Sequence, residues 1–169
     1  MSPALRRLAL CAMLALLAGC QTNSVRVDTP AQSGTGEHST EGTLPRGKLS
    51  FEGGPEISIE IASTMENIRL GLSYRESLCE SCGLYFVFPG EDIRTFWMRQ
   101  MRFPIDIIWI NHGKVIGVAA DTRPEPGVPE SQLATYKSPQ PVRNVLEVPA
   151  GFAARHGIKA GTKVKVWAE

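Results

Sequence analysis

Three groups of residues have types and spacings that could do chemistry. The first is Cys79-Glu80-Ser81-Cys82. Two thiols at this spacing can close into a disulfide, exchange disulfides as a redox pair, or supply part of a zinc site. Redox-active pairs sit at the start of a helix that follows a strand, where the helix terminus lowers the thiol pKa. Here the pair precedes an apolar stretch, Leu84 to Phe88, that reads as a strand, and no βαβ pattern surrounds it. Zinc would need two more ligands, and His112 and His156 show no recognisable spacing, so no metal site is expected. An oxidising compartment favours a structural disulfide, with thiol exchange and metal binding as the alternatives.

The second group is Arg75, Asp106 and Glu147. Asp106 stands among Ile105, Ile107 and Ile108, where a carboxylate must meet a cation or backbone donors to offset its desolvation. Strand alternation turns it away from Ile105 and Ile107. One reading is a structural salt bridge with Arg75 or Arg143. The other places two carboxylates and an arginine around a pocket that binds a polar ligand or moves protons. The third group is Phe96-Trp97-Met98 with Met101 and Phe103, interleaved with Arg94, Arg99 and Arg102. Alternate residues of such a stretch pack inwards; the remainder would line an apolar pocket or rest on a lipid surface, the arginines near anionic headgroups. The thioethers of Met98 and Met101 are too sparse a cluster for Cu(I). Arg75, Trp97, Met98, Asp106 and Glu147 are therefore the candidate pocket residues. No catalytic residue is assigned, and no cofactor is expected. A Gly-rich phosphate loop and a Gly-x-Ser-x-Gly elbow are both missing, and His38, His112 and His156 fall in a tether, a turn and a helix end.

The elements that position these residues begin with a leader. Arg6 and Arg7 precede ten apolar residues, Leu8 to Leu17, which is half the length a spanning helix needs and fits a secretory signal over residues 1–19. The run closes on Leu17-Ala18-Gly19-Cys20, which resembles the lipobox of bacterial lipoproteins. That resemblance implies acylation of Cys20 and a stable hold on a membrane, since several acyl chains on one residue exceed the marginal grip of one. Gln21, rather than Asp, follows the cysteine and implies the periplasmic face of the outer membrane. Residues 20–48 carry few apolar side chains (Val25, Val27, Ala31 and Leu44) and read as a flexible tether reaching about 30 Å. The folded unit is expected over residues 49–169.

Its elements alternate as short strands. Ile57, Ile59 and Ile61 mark a strand; Ser63 or Thr64 then caps a short helix, Met65 to Leu70, closed by Gly71. Leu84 to Phe88, Thr95 to Met98 and Ile105 to Ile110 read as further strands, the last joined through Asn111-His112-Gly113 to Val115–Ala120 as a hairpin. Residues 121–141 contain five prolines and read as a long irregular loop. Val142 to Val148 forms a strand, Ala150 to His156 a short helix stopped at Gly157, and Val164 to Ala168 the last strand. The pattern predicts a predominantly β α+β domain, a compact barrel-like mixed sheet with two short helices. With 18 Lys or Arg against 17 Asp or Glu in 169 residues, no charge excess points to nucleic acid.

Several blocks coincide in order and spacing with one known family. They are Gly71-Leu72-Ser73-Tyr74-Arg75, Gly83 to Phe88, Phe96-Trp97-Met98-Arg99, Phe103-Pro104-Ile105-Asp106 running on to Ile110, and Val145-Leu146-Glu147-Val148-Pro149-Ala150-Gly151, then Gly157-Ile158 and Gly161. From about Ile57 to the C-terminus the chain resembles the domain of unknown function 192 family. The resemblance implies a small β-rich fold, often secreted or lipid-anchored, and implies no activity, substrate or cofactor. Ser73, Tyr85, Cys79 and Cys82 depart from the family pattern. The expectation is a lipid-anchored envelope domain that binds a small ligand or a protein partner. An enzyme using Asp106 or Glu147 with Arg75, and a thiol or metal role for Cys79 and Cys82, are the alternatives.

Overall fold

Alternation of isoleucines on Glu56–Ala62 (β2) buries Ile57 and Ile59 on one side and leaves Ser58 and Glu60 on the other, the periodicity of a strand with two distinct faces. The same logic runs through the chain. The computed structural model describes residues 44–168, so the expected leader, Cys20 and nearly all of the expected tether lie outside the described residues. The first strand, Arg46–Phe51 (β1), starts ahead of Leu49 and takes in residues expected in the tether. After β2 come the helix Met65–Leu70 (α1) and the strands Cys82–Asp92 (β3), Thr95–Trp97 (β4), Ile105–Asn111 (β5) and Lys114–Thr122 (β6). A single 3-10 turn, Glu130–Gln132, then leads to Thr135–Lys137 (β7), Val142–Pro149 (β8), the helix Phe152–Arg155 (α2) and Val164–Ala168 (β9).

Seven strands form one sheet in the order β6-β5-β8-β3-β2-β1-β9, and β4 pairs with β7 in a separate ribbon. The β2–β3 pair is parallel, because α1 and the segment after it carry the chain back between them; the other pairs in the large sheet are antiparallel. The sheet curls until its two edges approach: Val115 N–H donates to the Thr162 carbonyl at 2.9 Å and Val164 N–H to the Gly113 carbonyl at 2.8 Å. The result is a predominantly β half-barrel with two short helices, as the strand pattern predicts.

Each face of this sheet has its own core. The inner face holds Leu49, Phe51, Ile59, Ile108, Leu146 and Val148, closed by Phe152 of α2. The outer face holds Leu84, Phe86, Ile107, Trp109 and Val145, covered by Leu72 after α1 and by the β4–β7 ribbon through Phe96 and Tyr136. Phe96 meets Phe86 and Trp109 edge-on, with ring centroids 5.1 and 5.5 Å away, which is how the ribbon grips the sheet. The proline-rich stretch is thus not wholly irregular, since β7 within it supplies the partner that β4 needs. Strand β3 also runs on through Pro89-Gly90, with its register against β8 shifting between Val87 and Asp92. That irregularity is where a proline can be accommodated in a paired strand.

Candidate functional site

A hollow of about 370 Å³ opens on the outer face between α1, β3 and β4. Helix α1 exists because Thr64 caps it, its Oγ1 accepting from Asn67 N–H at 3.2 Å, and it ends because Gly71 takes φ 55° and ψ −135°. Beyond Gly71 the chain turns Leu72 into the core and is stitched to the far wall. Ser73 Oγ donates to the Arg99 carbonyl at 2.9 Å, and Tyr74 N–H donates to the Gln100 carbonyl at 2.9 Å. Phe86 and Phe88, on alternate positions of β3, form the floor, while Phe96, Trp97 and Met101 rise as a wall.

Glu147 of β8 closes the floor. It stands in register between Leu84 and Ile107, so it points to the outer face with them. The residue is only 5% exposed, and its buried Oε2 has no hydrogen-bond partner. Burial pushes its carboxyl up to about 8, against the opposing pull of Arg75. A methyl group on Gly71 would sit 3.9 Å from Oε2 and 3.6 Å from the Phe86 ring, so the missing side chain leaves a methyl-sized gap beside the acid. Arg94 lies along the wall, its guanidinium 4.0 Å from the centroid of the Phe88 ring and its Nε donating to the Val142 carbonyl at 3.4 Å. Arg69 of α1 lines the same hollow and is exposed. At neutral pH the hollow therefore offers a neutral carboxylic acid, two guanidinium groups and aromatic walls.

The chain belongs to the DUF192 family. Residues 48–166 match this family, described as Uncharacterized ACR. Two crystal structures are similar to this chain in fold. A protein of unknown function from Novosphingobium aromaticivorans is 31% identical, with a TM-score of 0.62, covering 77% of this chain and 90% of the other. A protein from Sinorhizobium meliloti, described as a candidate transcription regulator, is 23% identical with a TM-score of 0.67, covering 75% of this chain and 98% of the other, and is similar in fold. No curated protein matches the chain.

Of the five residues expected to share a pocket, the DUF192 domain brings Trp97 and Glu147 to it directly. Arg75 stands near enough to Glu147 to act on its charge, but its own partner is Glu60 of β2, at 2.5 Å. Met98 is core: it is 2% exposed, and its sulfur accepts from Thr122 Oγ1 at 3.3 Å. Asp106 lies on the opposite face of the sheet. It is fully buried, its Oδ1 accepting from Asp121 and Gly151 N–H at 2.8 and 3.0 Å and its Oδ2 from Ala153 N–H at 2.9 Å. Backbone donors at the end of β6 and the start of α2, and no arginine, are what satisfy it. Asp106, Glu147 and Arg75 therefore do not assemble into one acid–base site, because the sheet separates the two carboxylates.

Cys79 and Cys82 are joined as a disulfide just where β3 begins, with Cα atoms 5.1 Å apart. Of the arginines interleaved with the aromatic block, Arg99 pairs with Glu130 at 2.8 Å and Arg102 pairs with Glu76. Residues that reading the chain alone passed over are Gly71, Phe86 and Phe88. Leu84, Phe86 and Phe88 alternate and so share a face, but nothing local tells that this face is the one Glu147 occupies. A second, wider depression adjoins the first along α1, sharing Arg69 and Leu70 with it and reaching Met65 and Tyr74, and contains no buried ionisable group.

Proposed function

We propose that this protein is a lipid-anchored cell-envelope protein whose DUF192 domain binds a small ligand in the hollow floored by Glu147. One observation carries the binding half: an acid buried at the bottom of an open, aromatic-walled pocket with an oxygen that has no partner. A buried polar group left unsatisfied costs free energy that a ligand's complementary group restores on binding. The hollow's volume lies at the small end of the range of about 300–1,000 Å³ in which drug-sized molecules bind. The envelope half rests on the leader, the Leu17-Ala18-Gly19-Cys20 tetrapeptide and the disulfide, which suits an oxidising compartment.

The two halves are tested separately. A panel of small aromatic and aliphatic fragments is screened by NMR against the full chain. Shifts grouped on Gly71, Phe96 and Trp97 are expected, and a panel that moves only resonances around α2, or none, overturns the pocket reading. For the anchor, cells expressing the chain are fed labelled palmitate. Label and membrane fractionation are expected for the wild type and neither for Cys20→Ala; an unlabelled wild-type protein overturns the anchor alone.

A further inference from the structure

The ligand class can be narrowed from the charged groups that face the hollow. Four elements meet there. Arg69 comes from α1 and Arg94 from the β3–β4 connection, both lining it. Arg75, from the segment after α1, acts on the charge of Glu147 without lining the hollow and is itself paired with Glu60 of β2. Glu147 comes from β8 and is the sole carboxyl among the described lining residues. An ammonium ligand would have to pass Arg69 and Arg94 to reach that acid, and the face of Phe88 that would attract it is already covered by the Arg94 guanidinium. A sugar would find few neutral partners for its hydroxyls, because the uncharged polar lining is Thr95, the indole N–H of Trp97, and Ser73, whose hydroxyl is bonded to the Arg99 carbonyl. A ligand with one anionic acceptor group and an apolar body meets every requirement at once.

We infer that the Glu147 pocket takes a small apolar carboxylate, an inference that rests on the pocket reading above. Glu147, as a neutral acid, donates its O–H to one ligand oxygen, and Arg69 and Arg94 offset the ligand's charge. The apolar body lies against Phe96 and Trp97, and its far end emerges beside Ile93 and Trp97, which are 44% and 48% exposed. A hydrogen bond from a neutral acid to a carboxylate is short and strong. It also ties binding to protonation, since ionising Glu147 places two carboxylates face to face.

The test compares three probes of one shape on the full chain: phenylbutyrate, phenylbutanamide and phenylbutylamine, read by NMR shifts at Gly71 and Trp97. At about pH 7 phenylbutyrate is expected to bind at least about tenfold more tightly than the amine, the ratio one charge-assisted hydrogen bond supplies. Above about pH 8 its affinity falls about tenfold per pH unit, because the free protein has lost the proton that the complex requires. Glu147→Gln keeps a donor at the same place, so binding stays within about threefold and the pH dependence disappears. Glu147→Leu removes the donor and costs about tenfold. Arg69→Gln, on the exposed face of α1 and harmless to folding, weakens the carboxylate about threefold and leaves the amide unchanged. Tighter binding of the amine, pH-independent binding of phenylbutyrate, or no binding of phenylbutyrate at millimolar concentration each overturns the inference. If the amide or the amine alone binds at Gly71 and Trp97, the pocket reading stands and only the carboxylate assignment falls.

Discussion

Asp106 and Glu147 are both acids set in apolar strands that pair with each other, yet they have opposite surroundings. Their strands place them one register step apart, Asp106 opposite Val148 and Glu147 opposite Ile107, so they project from opposite faces of the same sheet. On the inner face three backbone N–H groups converge on Asp106, and the acid fixes both the end of β6 and the start of α2. On the outer face nothing converges on Glu147 Oε2, and the chain above it is a glycine. Burial alone therefore does not separate a structural acid from a binding one; the difference is whether the fold itself brings the donors. Polar groups in a fold's interior are normally satisfied, and one left unsatisfied beside an opening is where a ligand completes the network.

The sharpest way to break this comparison is to delete each acid. Asp106→Ala strands three N–H groups, that of buried Ala153 among them, and is expected to cost roughly 3–4 kcal/mol in denaturant unfolding, with α2 losing hydrogen-exchange protection first. A loss under about 1 kcal/mol would show that α2 starts without it. Glu147 has the reverse sign. Unfolded, it ionises near its ordinary 4.5, while the folded protein holds the proton up to about 8. Its contribution to stability is thus full below about pH 4.5 and declines by up to about 1.4 kcal/mol per pH unit until about pH 8. Glu147→Gln should flatten that part of the profile and stabilise the protein by roughly 3 kcal/mol at about pH 7. A variant whose stability still falls with the wild-type slope would assign the titration to another group.

Smaller effects calibrate these two. Replacing Cys79 and Cys82 with Ser opens a short loop at the start of β3, and the loop-entropy argument gives a cost of about 2 kcal/mol in thermal unfolding. Unchanged stability would mean that the bridge is not a staple, and the thiol reading would gain ground. Thr64→Ala removes the cap of α1 and should cost about 1 kcal/mol. It should also loosen the pocket's cover, so that ligand dissociation accelerates while the inner face is unaffected; equal loosening of α2 would mean that the two faces do not act independently.

Much of this architecture is legible along the chain, since local pattern sets local structure. Thr64 and Gly71 bracket α1, and Asn111-His112-Gly113 turns the β5–β6 hairpin, His112 and Gly113 having φ of 46° and 68°. Strand β1 is hidden because its buried residues, Gly47, Leu49 and Phe51, follow a polar stretch and include a glycine. Strand β7 is hidden because three residues, Thr135-Tyr136-Lys137, carry a single apolar side chain among prolines. The site is legible in kind but not in assembly. Trp97 and Glu147 stand out by type, and Asp106 correctly turns away from Ile105 and Ile107. Whether Asp106 and Glu147 share a face depends on the pairing of Ile107 with Glu147, a contact between strands forty residues apart that no local periodicity encodes.

Strand β1 has a mechanical consequence. It is an interior strand, paired antiparallel to β2 from Arg46 to Ser50 on one side and to β9 from Gly47 to Phe51 on the other. At Gly47 the β9 backbone passes so close that a Cβ would lie 2.5 Å from the Trp167 carbonyl oxygen. A load arriving through the polypeptide ahead of Arg46 therefore enters the sheet at a strand clamped on both flanks. Peeling from an edge breaks hydrogen bonds one after another, whereas drawing β1 out lengthwise shears two ladders together. The domain would therefore yield to a pull on its C-terminal edge strand well before it yielded to a pull on the end that leads into β1.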